Sequence, residues 1–269
     1  MTIIDTFLFD SEFDVLELRL HTLKDVVNAW VLVEATETFQ RTPKPLHYAE
    51  HKNDPRFAPF RDRITHVIVD DLPAGTAWSR ERYQRNAIRR GLYDCEANDI
   101  ILVSDVDEIP NPDAVEGLPY PPTLYRPGAS VAFKQRLYSY TLNWRHTQPW
   151  YGTRAILYGQ LGEPNALRQT QGKLYSAEPV LNNGGWSFSS FGGVRAVQNK
   201  LQSFSHTNCN RPEYLDPGYI QECIDNGRGI LPQDGNQYIW QEIDESYPQF
   251  LLDNLDHYQH WIGKNLESR

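Results

Sequence analysis

The chain has 269 residues, 40% hydrophobic and 23% charged, which excludes a disordered chain, a collagen and a disulfide-stapled miniprotein. A formal net charge of −9 lacks the basic footprint that phosphate backbones require, so nucleic acid is not an expected partner. The three cysteines, Cys95, Cys209 and Cys223, are odd in number and lack metal-site spacing. No basic start leads into a long apolar run, and no stretch has the length of a membrane span. The expectation is a cytoplasmic chain with no transmembrane anchor.

Residues 3–9 (IIDTFLF) read as a strand. Phe13, Leu16, Leu20 and Leu23 recur at helical spacing, so residues 12–23 read as a helix. Residues 29–34 (AWVLVE) and 64–69 (ITHVIV) are apolar strands, the first ending on an acid. Residues 79–92 form a polar-faced helix with Ser79 as its N-cap. Residues 100–103 (IILV) are a short strand running into Ser104-Asp105-Val106-Asp107-Glu108. This succession predicts an α/β sheet, mostly parallel, with helices on both faces. In the second half, residues 131–140 read as a strand, and 194–203, 214–226 and 248–261 as helices. Residues 184–193 (GGWSFSSFGG) are a Gly-bounded aromatic stretch. No boundary separates the halves, so one domain over 1–269 is expected.

Ligands of open α/β sheets bind beyond the carboxyl ends of the strands. Three acidic signatures fall there: Glu12, Glu34 and the Asp105/Asp107 pair. If the strand stays extended, residues two apart share a face, with Val106 packed inward and both carboxylates toward a cleft. Two such carboxylates repel unless a cation lies between them. Mg²⁺ or Mn²⁺ suits them, since these hard cations take a few carboxylate oxygens and leave positions for phosphate. The chemistry served is departure of a diphosphate leaving group. On position alone, a solvated acidic turn explains the pair equally well.

VSDVDEIP, residues 103–110, resembles the metal-site segment of glycosyltransferase family 17. Residues 12–34 resemble the family's opening block of acid, Leu-rich helix, Arg and strand. PKPL at 43–46, DLP at 71–73, Gly185-Trp186, residues 191–200 and residues 247–258 follow in the family's order. The resemblance implies a GT-A-like nucleotide-sugar-binding sheet, with 1–110 as the nucleotide-binding half and 111–269 as the acceptor half. It also implies a UDP-sugar donor, UDP-GlcNAc foremost, an Mn²⁺ or Mg²⁺ cofactor, inversion at the anomeric carbon, and a glycan or glycoconjugate acceptor. Two departures fall in the acceptor half. Ser187 stands where a His is expected, and NGRGIL at 226–231 lacks the expected acid after its first Gly.

Under this reading Asp105 and Asp107 are the metal ligands, and His206 in SFSHTN is a third, weighed against a satisfied structural His. Glu12, Arg19, Glu34, Arg85 and Trp186 are the donor-binding residues. Arg suits a diphosphate through paired hydrogen bonds. Glu34 suits ribose hydroxyls by analogy with dinucleotide folds, and Trp186 suits a sugar face. Their bland alternatives are ion pairs, a solvated helix face and a core Trp. Inversion needs a general base. Asp216, which resembles an acidic position of the family, and Glu108 are the two carboxylates assigned to it. The alternative for Asp216 is a helix N-cap. The rival functions are a nucleotidyltransferase or nucleotide-sugar hydrolase, which would share the metal pair, and a non-enzymatic carbohydrate-binding protein.

Overall fold

The computed structural model describes residues 1–118, 124, 129–168, 179–203, 205, 209–231 and 237–264. Four strands follow the predicted apolar runs closely: β1 (Ile3–Leu8), β2 (Ala29–Ala35), β3 (Ile64–Val69) and β4 (Ile100–Asp105). They are apolar almost throughout because both faces of this part of the sheet are covered. On β2, Trp30 and Leu32 point into one core with Phe7, Leu16 and Ile100. Val31 and Val33 point into the other with Ile4, Val67 and Ile101. Helix α1 (Phe13–Leu23) covers the first face with Leu16, Leu20 and Leu23. A short α2 (His47–His51) lies on the connection from β2 to β3. Helix α3 (Ala77–Asn86) runs into a 3₁₀ turn (Ala87–Gly91), whose Ala87 and Ile88 cover the second face. The cap of α3 is Thr76, not Ser79: its Oγ1 accepts the Ser79 amide at 3.1 Å.

The parallel block is ordered β3-β2-β1-β4. The chain moves outward from β1 to β3, then returns to lay β4 on the other side of β1. That reversal opens a crevice beyond the carboxyl ends of β1 and β4, where α/β sheets bind ligands. Leu8 pairs with Asp105 in register, so the segments leaving β1 and β4 enter the crevice side by side.

The mostly parallel expectation is corrected by the second half. It adds β5 (Glu108–Pro110), β6 (Val131–Ser139), β7 (Trp144–His146), β8 (Arg154–Leu157), β9 (Val180–Ser189) and β10 (Tyr238–Trp240). Among the described residues, β1·β2, β1·β4, β2·β3 and β6·β9 are parallel. The pairs β4·β8, β6·β8, β6·β7, β7·β10 and β5·β9 are antiparallel. A short turn at 140–143, where Tyr140 takes a φ of 67°, makes β6 and β7 antiparallel neighbours; the other antiparallel pairs join strands distant in sequence.

The remaining helices are α4 (Pro112–Glu116), α5 (Pro164–Arg168), α6 (Gly193–Ser203), α7 (Pro212–Leu215), α8 (Pro217–Asp225) and α9 (Gln249–Asp253). The single helix expected over 214–226 is two. Pro217 lacks an amide hydrogen and drives the residue before it out of the helical region, and Asp216 accordingly sits at ψ 122°. The helix expected over 248–261 shrinks to α9 and a 3₁₀ turn at Gln259–Trp261, because Asn254 leaves helical geometry at φ −127°. Helices α6 and α8 share a satellite core of Val197, Ile220, Cys223 and Ile224. None of the three cysteines is in a disulfide.

Candidate active site

A cavity of about 1170 Å³ occupies the crevice. Its walls come from the segment after β1 (Asp10, Glu12), the turn after β4 (Asp105, Asp107, Glu108), the end of β9 (Ser187, Ser189) and α6 (Lys200). Trp150, Tyr140 and Tyr238 add aromatic surface.

The Asp105-Val106-Asp107 segment does not continue as an extended strand. Strand β4 ends at Asp105, and the chain turns through Val106 and Asp107 into β5. The shared-face expectation is thus corrected, although both carboxylates line the cavity and Val106 is buried in the core. Arg19 holds this turn from below. Its guanidinium pairs with Asp5 on β1, Nε to Oδ2 at 2.7 Å and Nη2 to Oδ1 at 2.6 Å. Nη1 donates to the carbonyls of Asp105, Val106 and Glu108 at 3.0, 3.1 and 2.9 Å. Nη2 also donates to Ser104 Oγ at 2.5 Å. Arg19 is fully buried and spends its donors inside the protein. It positions the acidic turn and does not reach a donor, which corrects its assignment as a diphosphate ligand.

The two aspartates differ in surroundings. Asp105 is clamped by Arg85 Nη2 on Oδ1 and Arg168 Nη2 on Oδ2, each at 3.0 Å. Burial alone would lift its carboxyl; Arg85 and Arg168 outweigh burial and hold it well below the usual carboxylate range. Arg85 is itself buried and bonded to Glu81 at 2.9 Å, so it braces Asp105 from the cavity wall. Glu108 is 1% exposed. Its Oε2 accepts the Asp105 amide at 2.8 Å, and its Oε1 accepts Trp150 Nε1 at 2.7 Å and Arg168 Nη2 at 2.8 Å. Burial pushes its carboxyl up, Arg168 pulls it back, and Asp105 and Asp107 push it up further. With both oxygens engaged, Glu108 is a brace between β4, β5 and Arg168 rather than an open base.

Gly152 makes that brace possible. A Cβ there would overlap the Glu108 carboxylate and the Trp150 indole nitrogen, and its carbonyl accepts from Arg168. Gly152→Ala is expected to displace Glu108 and lower activity by about 10²-fold, the scale of an ångström misplacement. Steady-state kinetics beside a thermal melt check this: unchanged kcat/KM would show that the Glu108 brace has no role in turnover.

Asp107 is the less clamped member of the pair. The two side chains are similarly exposed, 24% for Asp105 and 19% for Asp107, but in place of two buried arginines Asp107 has Lys200 Nζ, 3.5 Å from Oδ2, as its ion-pair partner. Burial pushes its carboxyl above the usual range, Lys200 pulls it back, and Asp105 and Glu12 push it further up. Glu12 opens to the cavity solvent. One of its oxygens, Oε2, accepts the amides of Asp10 and Ser11 at 3.1 and 2.9 Å. The protein mass around it and the charge of Asp10 still raise its carboxyl, while the Ser11 amide and Lys200 lower it. Two under-neutralised carboxylates facing one cavity form a hard oxygen donor set, which fits Mg²⁺ or Mn²⁺ with positions left over for other oxygens. A separate group, Asp14, Glu17 and His257, gathers ligand atoms within 4.8 Å of one another. It already holds a cation, Arg56, at 3.0 Å from Asp14 and 3.8 Å from Glu17.

The remaining expected residues lie elsewhere. Glu34 is fully buried behind the cavity-lining Lys44, 3.7 Å from its Nζ, accepting the Tyr48 amide at 3.2 Å and meeting His66 Nε2 at 3.0 Å. It anchors α2 and is not placed for a ribose. Trp186 is a core residue, 5% exposed, with Nε1 donating to the Ser246 carbonyl at 2.8 Å. Asp216 caps α8, accepting the Tyr219 amide at 2.7 Å, and lies outside the cavity wall. His206 lies outside the described residues. Sequence reasoning missed Arg168, Trp150 and Lys200. Arg168 and Trp150 carry no motif; Lys200 closes the 191–200 segment already matched to the family, the one signal that pointed to it.

The family model for glycosyltransferase family 17 matches residues 1–262. The chain belongs to glycosyltransferase family 17. The β-1,4-mannosyl-glycoprotein 4-β-N-acetylglucosaminyltransferase of Rattus norvegicus is 26% identical over 302 aligned residues, 97% of this chain and 54% of that protein. The Mus musculus protein of the same name gives the same identity and coverage. The Homo sapiens protein of that name is 31% identical over 120 residues, 42% of this chain and 22% of its own length. The chain thus spans about half the length of the rat and mouse relatives it matches along its length. A UDP-glucose pyrophosphorylase solved with UDP-glucose superposes at a TM-score of 0.31 and 7% identity, covering 58% of this chain and 76% of that one. No helix among the described residues is long and apolar enough to cross a membrane.

Proposed function

We propose that the chain transfers GlcNAc from UDP-GlcNAc, with inversion, to a hydroxyl of a glycan or glycoconjugate. The carrying observation is the pair of open carboxylates, Asp107 and Glu12, in a crevice where β1 and β4 part. The GlcNAc assignment leans on family membership and on the relatives' names. In this reading the β3-β2-β1-β4 block is the donor half of a GT-A-type fold, and Asp107 and Glu12 hold Mn²⁺ or Mg²⁺. A bound divalent cation would neutralise charge developing on the departing diphosphate. Arg19 fixes the backbone of the acidic turn. Arg85 and Arg168 keep Asp105 ionised and stationary, so Asp107 projects from a rigid support. Trp150, Tyr140 and Tyr238 offer flat faces for the acceptor's sugar rings. Catalysis is then mostly positioning and preorganised charge.

Calorimetric titration with UDP-GlcNAc, UDP-Glc, UDP-Gal and GDP-Man, with and without Mn²⁺, tests the donor. Metal-dependent binding of UDP-GlcNAc above the others is the expected result. Absence of nucleotide-sugar binding in every condition would remove the proposal. With an acceptor in hand, NMR of the product should show the anomeric configuration opposite to that of the donor. Free sugar with no transfer to any acceptor would mark a hydrolase.

A further inference from the structure

Lys200 stands where a bound cation would compete with it. Helix α6 leaves β9 through Ser190, Gly192 and Gly193, which take left-handed φ values of 61°, 106° and 71°. Val197 then seats the helix on the satellite core beside Ile220 and Cys223. The sharp turn and this anchor aim Lys200 back at the end of β9. Its Nζ donates to Ser189 Oγ at 3.0 Å and lies 3.5 Å from Asp107 Oδ2. Its charge also acts on Glu12. This cation is not locked in place as the arginines on Asp105 are. Its side chain is 38% exposed, whereas those of Arg85 and Arg168 are 5% and 1% exposed.

We propose that Lys200 is an exchangeable counter-cation. It neutralises Asp107 while the donor site is empty, and it passes to the donor's diphosphate when a divalent metal takes over the carboxylate. The inference rests on the reading of Asp107 as a metal ligand. A divalent cation on Asp107 would repel an ammonium 3.5 Å from the same carboxylate, and Lys200, half-exposed on a flexible stem, is free to give way where the buried arginines on Asp105 are not. A lysine suits this exchange: its flexible four-carbon stem carries a point charge with three donors, and it binds phosphate without a fixed fork geometry. The nearest new anion would be the diphosphate that enters with the metal.

The exchange predicts effects of opposite sign on two ligands. Lys200→Met removes the competitor for Asp107, so Mn²⁺ alone should bind tighter, by up to about fivefold, the upper end of the range for a partly exposed ion pair. The same variant loses a phosphate partner, so UDP at saturating Mn²⁺ should bind about tenfold weaker. Lys200→Arg, which keeps the charge, should stay nearer to wild type on both. Electron paramagnetic resonance of free Mn²⁺ reads the first affinity, and calorimetry on the full chain reads the second. Lys200→Met that binds Mn²⁺ no more tightly than wild type, or UDP no more weakly, overturns the exchange. A variant weakened toward both ligands overturns it too, since a purely structural lysine predicts that outcome. Wild-type protein that binds neither Mn²⁺ nor UDP would instead overturn the transferase reading on which the inference rests.

Discussion

Asp107→Asn is expected to lower kcat/KM for sugar transfer by about 10³-fold while the protein stays folded and loses no stability. The size follows from the several kcal/mol that a bound divalent cation contributes to a departing diphosphate, of which about 4 kcal/mol is a factor of 10³. The stability half follows from the position of the carboxylate. Burial penalises its charge, Lys200 only partly offsets that, and Asp105 and Glu12 repel it. Asparagine keeps the shape and removes the penalised charge, so the metal-free variant should melt at or above the wild-type temperature. Added Mn²⁺ should raise the wild-type Tm, by mass action worth about 2.7 kcal/mol at a hundredfold excess over Kd, and leave the variant's nearly unchanged. Differential scanning fluorimetry with and without Mn²⁺, paired with a transfer assay, reads both halves. A variant that keeps wild-type turnover would sink the metal assignment, whatever its Tm.

Arg19→Leu should produce the largest loss of stability of any single substitution around the site, about 3–5 kcal/mol. It strands Asp5, a fully buried carboxylate, without its partner, and breaking one side of a buried pair costs that much. It also removes the donors that satisfy the carbonyls of Asp105, Val106 and Glu108. The loss should therefore be twofold in kind: a lower urea midpoint, and inactivity in whatever fraction remains folded. The double variant Asp5→Leu/Arg19→Leu separates the two. Leucines of similar bulk should recover much of the stability, because a buried ion pair is often no better than apolar packing. Activity should not return, since the acidic turn still lacks its donors. A single variant within about 1 kcal/mol of wild type in urea unfolding would mean that the buried pair contributes far less than a stranded carboxylate requires.

The two halves of the chain differ in how far their structure could be read from residues. Apolar runs such as AWVLVE and IILV became β2 and β4 nearly as expected, because burial on both faces leaves a local compositional mark. Strand direction leaves no such mark. The run at 131–140 became β6, and the Gly-bounded stretch at 184–193, not read as a strand, supplied the end of β9, but nothing in either announced that β8, between them in sequence, would run antiparallel to β4. Helix ends also turned on single residues: Pro217 divided one expected helix and made Asp216 its cap. The match of ordered motifs to glycosyltransferase family 17 was legible and held over residues 1–262.

By itself the sequence determined the α/β character, the acidic turn after the fourth strand and the family. These rest on hydrophobic pattern and motif order, which are properties of neighbouring residues. Tertiary structure alone decided which acid faces the cavity unclamped. Asp105 and Asp107 are two positions apart, yet Arg85 and Arg168 reach Asp105 from 20 and 63 residues away, whereas Asp107 meets a more exposed lysine 93 residues away. Arg19, similarly, looked like a helix-surface ligand until the fold placed Asp5 beneath it and three carbonyls around it. Charge pairing of this kind depends on where distant segments are brought together in space, and no local pattern records that.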